Sequence, residues 1–108
     1  MTFSIVAHDP ETGQFGIAVA SRFFAVGALI PHFGENCAIA SQALVNPMWG
    51  NEGIKLVGQG LSLQETLKAL IDKDNGADQR QVHMVNRQGE SVCHTGSACI
   101  DAACHNAT

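Results

Sequence analysis

Residues 2–21, TFSIVAHDPETGQFGIAVAS, carry the strongest structural signal in the chain. Two runs rich in β-forming residues, residues 3–8 and 15–21, flank the polar segment DPETG. In that segment Asp9 can accept a hydrogen bond from its own turn, the proline that follows fixes the first turn dihedral, and Gly13 can adopt a positive φ. The pattern therefore predicts an N-terminal β-hairpin.

The clearest helix signal lies in residues 61–74, LSLQETLKALIDKD. Ser62 and Glu65 have the S-x-x-E spacing of a capping box, in which each side chain binds a backbone amide at the helix start. Apolar residues follow at helical spacing and form one face. The members of this apolar face are Leu63, Leu67, Leu70 and Ile71. A second, shorter helix is expected at residues 51–58.

Three further strands are predicted, at residues 37–42 (CAIASQ) and in a second hairpin made of residues 80–86 (RQVHMVN) and 91–95 (SVCHT). Gly89 lies in the turn of that hairpin. Residues 22–35 are apolar but interrupted by glycine and proline, so we expect a long structured loop there. The order of hairpin, strand, helices and hairpin is typical of an α+β fold in which sheets carry helices on one side.

Composition limits the classes of function. The chain has 108 residues, enough for one domain, with 45% hydrophobic and 15% charged residues and a formal net charge of −4. The six Lys and Arg residues are scattered singly, which argues against nucleic-acid binding and against an anionic membrane surface. The N-terminus lacks a basic region before a long apolar stretch, so neither a signal peptide nor a membrane helix is expected.

These features predict a cytoplasmic protein whose four cysteines are free thiols. No cofactor is expected. A low charged fraction also suggests that part of the surface is covered by further polypeptide, either a second chain or a homo-oligomeric partner.

Three separated blocks resemble the family called domain of unknown function 1028. They are TFSIVAHDPETGQFGIAVASRFFAVG (residues 2–27), SQALVNPMWGNEG (residues 41–53) and HTGSAC (residues 94–99). The resemblance implies the N-terminal nucleophile (Ntn) hydrolase-like fold, an α+β fold in which an αββα sandwich of antiparallel sheets carries helices on its outer faces. Members of that family are about twice this length, so the resemblance implies that residues 1–108 are a single domain, the N-terminal half of the fold, incomplete at the C-terminus. A second chain or a close homo-oligomer is then expected to complete it.

Thr2 is the leading catalytic candidate. Removal of Met1 leaves Thr2 with a free α-amine, whose ordinary pKa near 8 lets it act as a base at neutral pH. Base and nucleophile then lie on one residue. The resemblance thus implies a hydrolase that cleaves a C–N amide bond of a small or peptide-like substrate. The alternative is that Thr2 is simply a β-former at a strand end, and a retained Met1 would block the amine.

Ser21 and Arg22 end the second predicted strand, which returns close to Thr2. Proteasome β subunits share the Ntn fold and carry an acidic residue near this place, so the sequence ASR departs from their pattern. Arg22 is a catalytic candidate that could steady an oxyanion or bind a substrate carboxylate, or it is a surface arginine paired with a nearby carboxylate. The lysine expected on the third strand is also missing, since CAIASQ offers only Ser41 and Gln42.

Other candidates are residue types that often line a small-molecule pocket. The predicted substrate-binding residues, beside Ser21, are Gln42, Asn46 and Trp49, because amides and a tryptophan next to Pro and Gly often line such pockets. Alternatively, Asn46 forms a turn and Trp49 fills the core. His94, within HTG, is a third catalytic candidate as acid, base or binding group, or a core histidine.

A metal site is not expected. The Cys and His residues near the C-terminus do not have the paired C-x2-C spacing of structural zinc sites, and adjacent strand residues point to opposite faces. The residues considered for a metal are Cys93, His94, Cys99, Cys104 and His105.

The alternative to the hydrolase is a non-catalytic module that binds a ligand or partner on the same scaffold. The sequence ASR and the missing lysine of the third strand both favour this alternative.

Overall fold

The computed structural model describes residues 2–22, 24, 26–43 and 47–99. Within these ranges the chain forms three successive pairs of strands, separated by helices and one short 3₁₀ turn. In chain order the elements are β1 (Thr2–His8), β2 (Phe15–Ser21), α1 (Val26–Leu29), β3 (Pro31–Phe33), β4 (Cys37–Ala43), α2 (Pro47–Gly58), α3 (Leu63–Lys73), the 3₁₀ turn (Ala77–Gln79), β5 (Arg80–Asn86) and β6 (Ser91–Thr95).

β1 and β2 form the predicted hairpin, paired antiparallel from Thr2 with Ser21 to His8 with Phe15. The turn uses the chemistry expected of it: the Asp9 carboxylate accepts the Glu11 backbone amide at 2.9 Å, and that bond lowers the pKa of the Asp9 carboxyl. Gly13 has φ +75°, a conformation that glycine adopts without a Cβ clash. The N-terminal hairpin prediction is confirmed.

The remaining strands form a second antiparallel sheet in the order β3-β4-β5-β6. β4, β5 and β6 lie where the sequence predicted them. The expectation of a loop through residues 22–35 was wrong in part, since α1 and β3 lie inside it. β3 has only three residues, too few for a sequence pattern, and it starts with Pro31, which is tolerated because β3 is an edge strand.

The two longer helices confirm one expectation and correct another. α3 has the predicted N-cap at Ser62, whose hydroxyl accepts the Glu65 amide at 3.1 Å, which is one of the two bonds of a capping box. α2 begins at Pro47, four residues before the expected start at residue 51. Proline suits a first helical position, where its missing N–H is not needed. Gly50 inside α2 is required by packing, because a Cβ there would collide with the ring of His32 on β3.

The main core lies between the four-stranded sheet and the helices α2 and α3. Strand residues alternate faces, so one set of β4, β5 and β6 residues faces the helices and the other set faces the β1–β2 hairpin. The buried core residues are Cys37, Ile39, Trp49, Leu63, Leu70, Ala77, Val82, Met84 and Val92.

Within the described ranges, no helix is long and apolar enough to cross a lipid bilayer.

The hairpin packs over β4 and β5 on the opposite side of the sheet from the helices. Ala38 and Ala40 of β4 are fully buried there, and their small side chains let the hairpin approach closely. The described residues thus form a mixed α+β arrangement of a helix layer, a four-stranded sheet and a two-stranded sheet.

The hairpin has a second face, here called the outer face, that points away from the sheet. Its six residues are all apolar and all exposed, with Phe3 at 66% and Ile5 at 64%. An antiparallel sheet that ends in water usually carries polar residues on its solvent side. The outer face consists of Phe3, Ile5, Ala7, Gly16, Ala18 and Ala20.

Candidate functional site

Thr2 lies at the start of β1 on the side of the hairpin that faces the four-stranded sheet. Its register partner is Ser21, the last residue of β2, and the two hydroxyls hydrogen-bond at 2.9 Å. Both residues are half-buried. The hairpin pairing therefore brings the predicted nucleophile and a predicted binding residue into direct contact.

A line of hydrogen-bonded side chains, here called the polar ladder, runs from the hairpin across the sheet. The Ser4 hydroxyl donates to Gln42 Oε1 at 2.6 Å, and Gln42 Nε2 donates to Gln81 Oε1 at 2.6 Å. Gln81 Nε2 then donates to Thr95 Oγ1 at 3.0 Å. The ladder therefore joins β1, β4, β5 and β6, and it begins on the same face as Thr2, about 7 Å further along β1.

Strand register explains why these four side chains meet. Gln42 pairs with Gln81 and Gln81 pairs with Thr95, so the three stand side by side on the sheet face that the hairpin covers. Gln42 is only 3% exposed and Gln81 only 6%. Burying an amide costs free energy unless the amide is hydrogen-bonded. The polar ladder therefore favours one position of the hairpin on the four-stranded sheet, the position in which these hydrogen bonds form.

Gln42→Leu should destabilise the protein by about 1–3 kcal/mol, because it removes the hydrogen bonds that the buried Gln42 amide makes to Ser4 and to Gln81. Urea unfolding measures the change. Gln64→Leu makes the same substitution at an exposed position of α3 and should change stability by less than about 0.5 kcal/mol. Equal stabilities of the two variants would show that the ladder does not hold the sheets together.

The other predicted site residues are placed as follows. Arg22 directly follows Ser21 and is exposed. Gln42 is buried in the polar ladder, where it hydrogen-bonds Ser4 and Gln81. Asn46 lies outside the described residues.

His94 and Trp49 lie on the helix side of the sheet and are not brought together with Thr2. Their ring centroids are 5.9 Å apart, and His94 Nε2 lies 3.0 Å from the backbone oxygen of Ala77. Trp49 is 2% exposed and belongs to the main core. The reason is alternation: His94 is two residues from Val92, which also packs in that core, so both point to the helices.

Sequence reasoning missed Ser4, Gln81 and Thr95. Their signal was present but weak, since each is a polar residue on a strand and only the pairing of distant strands aligns them. Cys93 and His94 lie on opposite faces of β6, as alternation requires: Cys93 Sγ contacts His83 Nδ1 at 3.7 Å while His94 faces Trp49. Cys104 and His105 lie outside the described residues.

Comparisons with known proteins agree with this architecture. The crystal structure of protein SPO2555 from Silicibacter pomeroyi, assigned to DUF1028, superposes with a TM-score of 0.88 at 31% sequence identity. The match covers 94% of this chain and 46% of that one, so this chain spans less than half the length of that protein. The search of curated proteins found no match. The model of the family of unknown function DUF1028 matches residues 2–108, and the chain therefore belongs to that family.

Proposed function

We propose that the protein is an Ntn-type amidohydrolase that cleaves a C–N amide bond of a small or peptide-like substrate, with Thr2 as nucleophile. The observation that supports this proposal most is the placement of Thr2. Thr2 is half-buried at the start of β1, its hydroxyl is hydrogen-bonded to that of Ser21, and it lies on the same face of the hairpin as the start of the polar ladder. On this proposal the helix layer and two sheets are part of an αββα sandwich whose second helix layer covers the outer face.

The reaction starts with removal of Met1, which frees the α-amine of Thr2. That amine takes the proton from Thr2 Oγ1, directly or through a water, and Oγ1 attacks the substrate carbonyl carbon. The C–N bond breaks as the leaving amine takes the proton, and an ester to Thr2 remains. Water then hydrolyses the ester, which releases the acid and regenerates the hydroxyl.

Neighbouring residues have distinct roles in this proposal. The Ser21 hydroxyl, 2.9 Å from Thr2 Oγ1, orients the nucleophile and can pass its proton. Gln42 and Ser4 are positioning residues, because their 2.6 Å hydrogen bond fixes β1 two residues beyond Thr2. Arg22, exposed beside Ser21, supplies a guanidinium for a substrate carboxylate or a developing oxyanion.

A second candidate is a non-catalytic module that binds a polar ligand on the same face. It is favoured by the neutral character of the described hydrogen bonds around Thr2, which are made by hydroxyls and amides. Covalent labelling with a reagent directed at N-terminal threonine separates the two candidates. The hydrolase should react at Thr2, and the binding module should not.

We also propose that the outer face is covered by further polypeptide of a family-length protein. The support is its composition of six exposed apolar residues, together with a structural relative in which this chain accounts for 46% of the length. A contiguous apolar face is a typical interaction site. Residues 1–108 alone should therefore self-associate through it.

Replacing Phe3 and Ile5 together by threonine should reduce this self-association, since threonine keeps the β preference and removes most of the exposed apolar area. Sedimentation of both proteins at micromolar concentration measures the effect. Thr12→Ser, in the exposed hairpin turn, is the matched control and should sediment as the parent does. A parent chain that is monomeric and unfolds cooperatively would contradict the proposal.

A further inference from the structure

Cys93 and His83 form a thiol–imidazole pair that the proposed hydrolase does not use. They are direct register partners on β6 and β5, and Cys93 Sγ lies 3.7 Å from His83 Nδ1. Both residues belong to the second predicted hairpin, whose antiparallel pairing across a single turn places them side by side. The distance is within hydrogen-bonding range for sulfur.

Both residues of the pair are half-buried, and β6 is the last strand of the four-stranded sheet in the described part of the chain. Cys93 is two residues from Thr95, so the pair stands one step along the strands from the Gln81–Thr95 end of the polar ladder. A small molecule that reached Cys93 would therefore contact the same sheet face as the ladder.

The other described thiols lack this arrangement. Cys37 is 1% exposed in the main core. Cys99 is half-buried like Cys93, but its sulfur contacts the backbone oxygens of Arg80 at 3.4 Å and Asp78 at 4.0 Å. Carbonyl oxygens accept a hydrogen bond from the thiol but cannot take its proton, whereas a neutral imidazole can. Cys99 therefore serves as the comparison thiol, half-buried like Cys93 but without an imidazole contact among the described residues.

We propose that Cys93 is a thiol-modification site that exchanges with small disulfides, with His83 as the base. His83 takes the proton from Cys93 Sγ, and the sulfur attacks one sulfur of the small disulfide. The S–S bond of the small molecule breaks, and its second half leaves as a thiolate that takes the proton from His83. The products are a mixed disulfide at Cys93 and one free small thiol, so the small disulfide is the oxidant.

The base is needed because burial raises the pKa of the Cys93 thiol. A thiol shifted in this direction is mostly protonated near neutral pH, and only the thiolate attacks disulfides. His83 compensates by removing the proton at the moment of attack.

The test uses the full chain in two single-site backgrounds. Cys99→Ser with Cys104→Ser leaves Cys93 and the buried Cys37, whereas Cys93→Ser with Cys104→Ser leaves Cys99 and Cys37. Stopped-flow absorbance with dithiobis(nitrobenzoate) at pH 7 gives the rate of each. Cys93 should react at least about tenfold faster than Cys99, since a positioned base contributes a hundredfold or more in enzymes and here the reagent is not bound beforehand.

His83→Gln in the first background should reduce the Cys93 rate to about that of Cys99. His32→Gln, at a half-buried histidine on β3, is the matched control and should leave it unchanged. Equal rates for Cys93 and Cys99, or a Cys93 rate that His83→Gln does not alter, would overturn the proposal. If His83→Gln fails to fold, the ratio of the two thiol rates still decides, because it needs no change at His83.

Discussion

Thr2→Ala should abolish covalent labelling of the protein by an α′,β′-epoxyketone. The reagent joins both the hydroxyl and the α-amine of an N-terminal threonine, so it tests nucleophile and base together. The parent chain without Met1 should gain the full mass of a single reagent molecule, measured by intact mass spectrometry. Loss of the Thr2–Ser21 hydrogen bond should cost only about 1 kcal/mol, so the variant should remain folded.

The controls for this labelling are chosen from the same hairpin. Thr2→Ser keeps a hydroxyl and an amine and should label, and Thr12→Ala removes an exposed turn hydroxyl and should label as the parent does. The labelling rate should rise with pH through the range of a free α-amine, about 7.7–8.0, because the amine acts as a base only when unprotonated. Retention of Met1, or labelling that persists in Thr2→Ala, would exclude Thr2 as the nucleophile.

Gly96→Ala should destabilise the protein by about 3 kcal/mol, the upper end for overpacking. A Cβ at this position would fall on the backbone carbonyl of Asp78 and 2.6 Å from the Ala77 oxygen. Neither group can move freely, since the Asp78 oxygen accepts the Ala98 amide at 2.7 Å and the Ala77 oxygen contacts His94. Urea unfolding should show the loss as a lower midpoint.

Gly58→Ala is the matched control. Gly58 is the last residue of α2, and a Cβ there would meet nothing within 4 Å. Alanine is favoured over glycine in a helix by about 0.5–1 kcal/mol, so this variant should be as stable as the parent or more stable. Equal effects of the two substitutions would show that the approach of Gly96 to the 3₁₀ turn is not required.

Local sequence was sufficient to predict those elements whose stabilising interactions lie within the element itself. The first hairpin was predicted from two β-forming runs around DPETG, and α3 from its capping box and apolar face. The early start of α2 at Pro47 was missed because proline and glycine normally interrupt structure, and here His32 from another strand requires Gly50. β3 was missed because three residues carry no periodicity.

The candidate site divides in the same way. The sequence alone determined the hairpin that brings Ser21 to Thr2, because that contact needs only one turn and one antiparallel register. Only the tertiary structure decided which sheet face the remaining candidate residues occupy. It aligned Ser4 with Gln42 across two sheets and sent His94 to the helices. The physical reason is that strand pairing joins residues far apart in the chain, whereas hydrophobic periodicity reports only near neighbours.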